Sequence, residues 1–263
     1  LTTFKSMALH IVLGIGLCII GEVKFVILLS PLFLAWVWIS PSYVKDVSKV
    51  NLKTLLVIVA GMLLLISLSI VILAYYYSSA FGGDPSKSSL SIFIDSLSYI
   101  FDPNYIMSTG ELGRFTTFLF WLKNNDLWGL SGTLFGYGLN ATNSGSTVSP
   151  GFLNIIYNLI LDSTSLSMLL WEVGVIGTLL FISLFIYILK VCQPKPLLTL
   201  EQLDQQDLQL LSFAPAFNAF AISCLISLPY SQILMITPML QFLFYLSLGS
   251  SLVIRRTVLR CVG

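Results

Sequence analysis

The sequence predicts an all-α fold: a polytopic transmembrane helical bundle of about six spans, interrupted by one long, partly helical extracytoplasmic loop. Three observations predict it. Of the 263 residues 56% are hydrophobic and only 10% charged, with a mean hydropathy of +0.92, whereas a soluble domain carries about 25% charged residues. Apolar runs approach the roughly 20 residues that a helix needs to cross a bilayer. The segment Ser78–Thr164 departs from that pattern, with mixed polarity and many Gly, Ser, Asn and Thr residues. Three regions follow: helices over 1–77, the loop over 78–164, and helices with a cytoplasmic connection over 165–263.

Composition also excludes several classes. A net charge of +1 supplies no basic face to neutralise the phosphates of a duplex, so no nucleic-acid partner is expected. Cys18, Cys192, Cys224 and Cys261 all lie outside the long loop, which argues against a disulfide framework. There is one histidine, His10, and no Cys-x-x-Cys pair, so neither a zinc-type metal site nor a cofactor is expected. The chain opens at Leu1 without an initiator methionine or a signal-peptide n-region, and is expected to be a portion of a longer protein.

In chain order, Met7–Gly21 is a short first span. Gly21-Glu22-Val23-Lys24 breaks it from a second, Phe25–Ser40, which Pro41 ends. Thr54–Tyr77 is rich in Leu, Ile and Val and closes on the interfacial aromatics Tyr75, Tyr76 and Tyr77. In the loop, Ser89–Phe101 puts Leu90, Ile94, Leu97 and Phe101 on one helical face, the pattern of a helix lying in the membrane interface. Asp102-Pro103-Asn104 stops it. Gly113–Lys123 is a second loop helix, stopped by Asn124-Asn125. Gly129–Gly151 reads as loop, and Phe152–Leu161 as an apolar lead into the fourth span, Ser165–Leu189. The fifth and sixth spans, Leu208–Leu228 and Ile233–Ile254, are joined by a tight hairpin at Pro229-Tyr230-Ser231-Gln232.

Positive charge orients this arrangement. With the N-terminus inside, the cytoplasmic segments hold Lys5, Lys45, Lys49, Lys53, Lys190, Lys195, Arg255, Arg256 and Arg260, against Lys24, Lys87, Arg114 and Lys123 outside. Both chain ends are then cytoplasmic and the long loop is extracytoplasmic.

Few residues have the chemistry for a site. Arg114 is the only arginine before residue 255. A guanidinium stays charged at any relevant pH and offers phosphate oxygens a planar fork of donors. Gly113 beside it leaves room for a headgroup. The alternative is that Arg114 pairs with bilayer phosphates or with Glu111. Lys24 shares its side of the membrane, either as a second cation for a diphosphate or as a snorkelling lysine at a helix end. Asp162 stands at the mouth of the fourth span, either as a general base for an attacking hydroxyl or as the helix N-cap. Glu172, inside that span, reads as structural and bonded to a neighbouring helix. Gly136-Tyr137-Gly138 allows a sharp turn and close backbone approach to a substrate. Phe115, Trp121, Trp128 and Tyr137 suit either sugar stacking or core packing.

Gly113-Arg114, Trp121 and Leu134-Phe135-Gly136-Tyr137-Gly138, together with Leu166, Leu169-Leu170, Glu172, Gly174 and Gly177 on the fourth span, resemble the signature of the O-antigen ligase and Wzy-type O-antigen polymerase superfamily. Gly21-Glu22-Val23-Lys24 resembles the helix break where members place a Ser-Arg pair. The resemblance implies a bacterial inner-membrane glycosyltransferase that joins sugars carried on undecaprenyl diphosphate, without metal or nucleotide sugar. Arg114 and Lys24 would hold the diphosphate, Asp162 and Arg114 would act in catalysis, and Gly136, Tyr137, Gly138 and Trp121 would position the substrate. The implied partners are the lipid-linked glycan, the bilayer and other polysaccharide-assembly proteins. Ligases carry a His-Asn pair just before the leucine-rich helix. This chain has Ser163-Thr164 there, a departure that favours a polymerase, or a diverged or inactive member, over a ligase. Members usually have ten or more spans, so the remaining ones are expected before Leu1. A transporter or a non-catalytic scaffold is the other class to separate.

Overall fold

The computed structural model describes residues 98–145, 149–195, 198 and 204–262, together with isolated positions between 36 and 71. The first expected span and Lys24 lie outside the described residues. Of the second and third expected spans only isolated positions are described, at 36–37 and between 56 and 71, and all of these are helical.

The described chain is mostly helical. The elements are α1 (Ser98–Phe101), α2 (Arg114–Asn124), α3 (Leu130–Phe135), α4 (Phe152–Tyr157), α5 (Ser165–Glu172), α6 (Gly174–Val191), α7 (Gln205–Ser212), α8 (Ala214–Ser227), α9 (Ile233–Ile236) and α10 (Pro238–Val262). Among the described residues there is no strand, only isolated bridges pairing Val44 with Leu198, Ile106 with Leu112 and Glu111 with Ile160.

Among the described residues, three helical stretches are long and apolar enough to cross a membrane: Gly174–Val191, Gln205–Ser227 and Pro238–Cys261, of 18, 23 and 24 residues. At about 1.5 Å rise per residue these reach roughly 27 to 36 Å, against a hydrocarbon core of about 30 Å. Their outer faces carry exposed Leu179, Leu180, Leu184, Phe242, Leu246 and Val253. Asn218 and Ser251 face inward instead, where the Ser251 hydroxyl donates to Asn218 Oδ1 at 3.1 Å. Apolar side chains outward and a satisfied polar pair between helices suit a lipid surround.

Proline decides where these helices differ from the expected spans. Pro215 lacks an N–H and restricts the turn before it, so the fifth stretch is two helices, α7 and α8, meeting at Phe213. Thr237 precedes Pro238 and is extended (φ −95°, ψ 107°), because a residue before proline is driven out of the α region. The sixth helix therefore begins at Pro238 rather than Ile233, proline being favourable at a first helical position. It continues past Ile254, so Arg255, Arg256 and Arg260 are helical.

The three long stretches share two ends. At one, Leu166 N donates to Leu228 O at 2.9 Å, and both the amide and the hydroxyl of Ser165 donate to Ser231 O, at 3.0 and 2.7 Å. At the other, Tyr43, Leu198, Leu211, Ala214, Ile254 and Val258 form a buried cluster, in which the Tyr43 hydroxyl donates to Cys192 O at 2.9 Å. Between them lies a core of Leu169, Phe185, Ala221, Cys224, Leu228, Leu234, Phe244 and Leu248. A further core under the loop region gathers Leu112, Trp121, Tyr137, Ala141, Leu153, Leu161, Leu170 and Trp171.

Candidate functional site

The site begins where α1 meets α2. Gly113 is the residue before α2, and a Cβ there would lie 2.7 Å from Tyr99 O and 3.0 Å from Tyr105 Cβ. The space that Gly113 leaves is thus filled by the α1 side of the loop, not held open for a headgroup. Thr116 fastens the same junction: its hydroxyl donates to Asp102 O at 2.8 Å and accepts from Tyr105 N at 3.1 Å. The expected stop after Phe101 is present as an Asx turn, Asn104 N donating to Asp102 Oδ1 at 2.9 Å.

Arg114, first residue of α2, is thereby aimed across the loop. Its Nη1 donates to Glu111 Oε1 at 3.3 Å and to the Ser163 carbonyl oxygen. This is the one ion pair among the described residues, with the arginine side chain 21% exposed. The guanidinium also lies over two aromatic faces, 5.6 Å from the Tyr99 ring centroid and 5.8 Å from that of Tyr230, within the roughly 6 Å reach of a cation–π contact. Arg114 Nε is buried and has no hydrogen-bond partner among the described residues. The two phenols are joined to each other, oxygen to oxygen, at 2.7 Å. Burial, then the bond to Tyr230, pushes the Tyr99 phenol up, against the pull of the Arg114 charge, so Tyr99 stays neutral.

The Ser163 carbonyl comes from an extended run leading into α5. Asn158 is left-handed (φ 52°) and ends α4, so the expected apolar lead over 152–161 is helical only as far as Tyr157. Ile160 N then donates to Gly110 O at 2.9 Å, which sets 160–164 beside the Arg114 turn. Thr164, not Asp162, is the N-cap of α5: its hydroxyl accepts from Ser167 N at 3.0 Å. Asp162 is instead 2% exposed. Its Oδ2 accepts from the Ser144 hydroxyl at 2.6 Å and from Ser144 N at 3.1 Å, while Oδ1 has no partner among the described residues.

The expected fourth span is two helices. Gly174 opens α6 at φ +69°, breaking the run after Glu172, and the turn Gly136-Tyr137-Gly138 closes on that break. Gly136 N donates to Gly132 O at the end of α3, a helix inside a stretch expected to be loop throughout. Tyr137 N then donates to Trp171 O at 2.8 Å and Gly138 N to Glu172 O at 3.0 Å, meeting carbonyls that a helix end leaves without intrahelical partners. A Cβ on Gly136 would lie 2.4 Å from Glu172 O, and one on Gly174 2.4 Å from Leu134 O. The backbone that this turn approaches is the α5–α6 junction. Glu172 bonds to the loop: its Oε1 accepts from the Thr142 hydroxyl at 2.9 Å.

Trp121 and Tyr137 are both core residues, each 5% exposed. Tyr137 packs with Trp128 and Trp171 at ring distances of 5.0 and 5.7 Å, and its hydroxyl donates to Asn125 O at 2.6 Å. Phe115 and Trp128 are exposed. Phe115 lines a largely apolar cavity of about 430 Å³ with Phe101, Phe118, Leu166, Tyr230 and Arg114. The cavity therefore brings Arg114 together with the start of α5 and the hairpin after α8. Asp162, Gly136, Tyr137, Gly138 and Trp121 do not line it.

Sequence reasoning missed Tyr99, Tyr230 and the Ser163 carbonyl. The two tyrosines stand 131 residues apart. The local hint was an aromatic on the interfacial helix expected over 89–101 and another on the hairpin at 229–232, both expected at the same membrane face. Compared with known proteins, the chain matches no family model, no curated protein and no solved structure.

Proposed function

We propose that this chain is a metal-independent, integral-membrane glycosyltransferase that polymerises undecaprenyl-diphosphate-linked oligosaccharide units into surface polysaccharide at the bacterial inner membrane. The observation that carries the reading is a lone guanidinium on the wall of an otherwise largely apolar cavity. A lipid diphosphate has that same division: a hydrocarbon tail for Phe115, Phe118 and Leu166, and a doubly charged head for Arg114. In the fuller topology six spans place both ends of the chain inside and the 78–164 loop outside, with Lys24 as a second cation beside the head. The meeting of the Tyr43 segment with Cys192 and Leu198 fits that topology, in which both lie at one face.

In this mechanism an acceptor sugar hydroxyl bonds to the anomeric carbon of the donor. The carbon–oxygen bond to the diphosphate breaks and its electron pair leaves with the lipid diphosphate. Arg114 stabilises the charge that develops on the leaving oxygen, where a fixed cation in a low-dielectric site is most effective. The hydroxyl proton passes to Asp162 through an intervening water, since Asp162 is buried and does not itself line the cavity; its Oδ1 carries no hydrogen bond to the described residues. Trp121 and Gly136-Tyr137-Gly138 act behind the site, by holding the loop against α5.

Replacing Arg114, Lys24 and Asp162 singly and reading glycan chain length on gels tests the reading. Polymer lost with single repeat units accumulating supports it. Long chains surviving all three substitutions contradict it and favour the transporter or scaffold class. Polymer that is made but not attached to its acceptor assigns ligase activity instead.

A further inference from the structure

Two tyrosines that no motif picked out surround the proposed anion-binding group. Tyr99 comes from α1, and Tyr230 from the turn between α8 and α9. Each presents its ring to Arg114, with the guanidinium carbon 5.6 and 5.8 Å from the two centroids. Their oxygens meet at 2.7 Å, which ties α1 to the end of α8 around the arginine. Both hydrogen bonds that the guanidinium makes to described residues leave from Nη1, to Glu111 and Ser163, and Nε is buried without a partner among those residues. These two bonds use both in-plane hydrogens of Nη1 and hold that edge of the guanidinium. The rings of Tyr99 and Tyr230 pack against the rest of the group.

We propose that Tyr99 and Tyr230 are positioning residues that cage the Arg114 guanidinium by their ring faces and present it to a phosphate-bearing lipid in the adjoining cavity. The inference rests on the diphosphate reading of Arg114 and adds the groups that make the arginine a pre-organised donor. An unrestrained arginine side chain has several rotatable bonds to freeze when it binds an anion, and holding it in advance removes that cost. A ring face achieves this without neutralising the charge, as a second carboxylate would. Because the two phenols bond to each other, the cage closes only when α1 and the α8–α9 turn are both in place.

The test uses the full chain in detergent or lipid nanodiscs, with farnesyl diphosphate as the probe. Tyr230→Phe and Tyr99→Phe keep the faces and are expected to bind within about threefold of the parent; Tyr230→Leu and Tyr99→Leu are expected to bind about tenfold more weakly. Should the leucine variants not fold, phenylalanine analogues of rising fluorination at position 230 keep the ring's shape and drain its negative face. Affinity is expected to fall stepwise along that series, a response that simple packing would not give. The ¹⁵N-edited proton spectrum of the guanidinium, assigned by loss of its signal in Arg114→Lys, reads the cage without ligand: ring-current shifts are expected in the parent and reduced in the leucine variants. Arg114→Ala separates the two levels. If it leaves binding unchanged, the diphosphate reading falls, and the ring-current shifts alone decide the cage. If it abolishes binding while the fluorinated series stays flat and the shifts are absent, the diphosphate reading stands and the cage is overturned.

Discussion

Gly136→Ala is the substitution whose cost follows most directly from the geometry. Gly136 sits at φ 77° and ψ −171°, a region open essentially to glycine alone, and a side chain forced there costs about 1–3 kcal/mol. The new Cβ would also lie 2.4 Å from Glu172 O and 2.6 Å from Gly174 N. Both are backbone atoms, which cannot swing aside as a side-chain tip can. Relief requires the turn to back away from the α5–α6 junction, which weakens the bonds from Tyr137 N to Trp171 O and from Gly138 N to Glu172 O, at about 1 kcal/mol each. The expected loss is about 3–5 kcal/mol, a large share of the roughly 5–15 kcal/mol of a typical domain. Gly138→Ala is the control. It has φ +97° but nothing within 4 Å of an added Cβ, so it should cost only about 1–2 kcal/mol. Denaturant unfolding in micelles followed by tryptophan fluorescence makes the measurement, since Trp121, Trp128 and Trp171 all lie in or against this core. Equal stability of the two variants would refute the interlock.

Other expectations follow from single contacts. Thr164→Ala removes the α5 cap and should cost about 1 kcal/mol in the same unfolding assay, with Thr164→Ser nearly neutral. Asp162→Ala strands the amide and hydroxyl of Ser144 and should cost about 1–3 kcal/mol. Asp162→Asn keeps an acceptor for Ser144, so it should fold well yet yield no polymer on glycan gels. Burial pushes the Tyr43 phenol up from 10.0 to about 12. A folded-state value above the unfolded one stabilises fully below about pH 10, and that contribution is lost as pH rises from 10 toward 12. An alkaline stability titration should therefore fall less steeply over that window in Tyr43→Phe than in the parent.

Among the described residues, helices announced by apolar composition were legible, and so were those bounded by strong stops. The Asp102-Pro103-Asn104 turn ends α1 and Asn125 ends α2, because both act through bonds within a few residues. The start of the fourth span at Ser165 was also legible, though its cap is Thr164. The divisions of the later spans carried their signal in single residues read too lightly: Pro215, Pro238 and Gly174 each break a helix by a steric rule that apolar content does not report. The site was legible in one residue. Arg114 stood out by scarcity, and its pairing with Glu111 was among the readings weighed. Tyr99, Tyr230 and the Ser163 carbonyl are brought to it by tertiary packing across long separations, and a main-chain acceptor has no sequence signature. Gly136-Tyr137-Gly138 was read as a sharp turn that brings its backbone close to a substrate; the turn is present, and the backbone it approaches is the α5–α6 junction.

The central claim is that Arg114 recognises a lipid-borne diphosphate. The most direct measurement compares binding of farnesyl diphosphate, farnesyl monophosphate and farnesol to the parent chain and to Arg114→Ala. The account predicts that the parent prefers the diphosphate, that Arg114→Ala erases the preference, and that farnesol, which needs only the apolar walls of Phe115, Phe118 and Leu166, binds both equally. A diphosphate preference that survives in Arg114→Ala would contradict it.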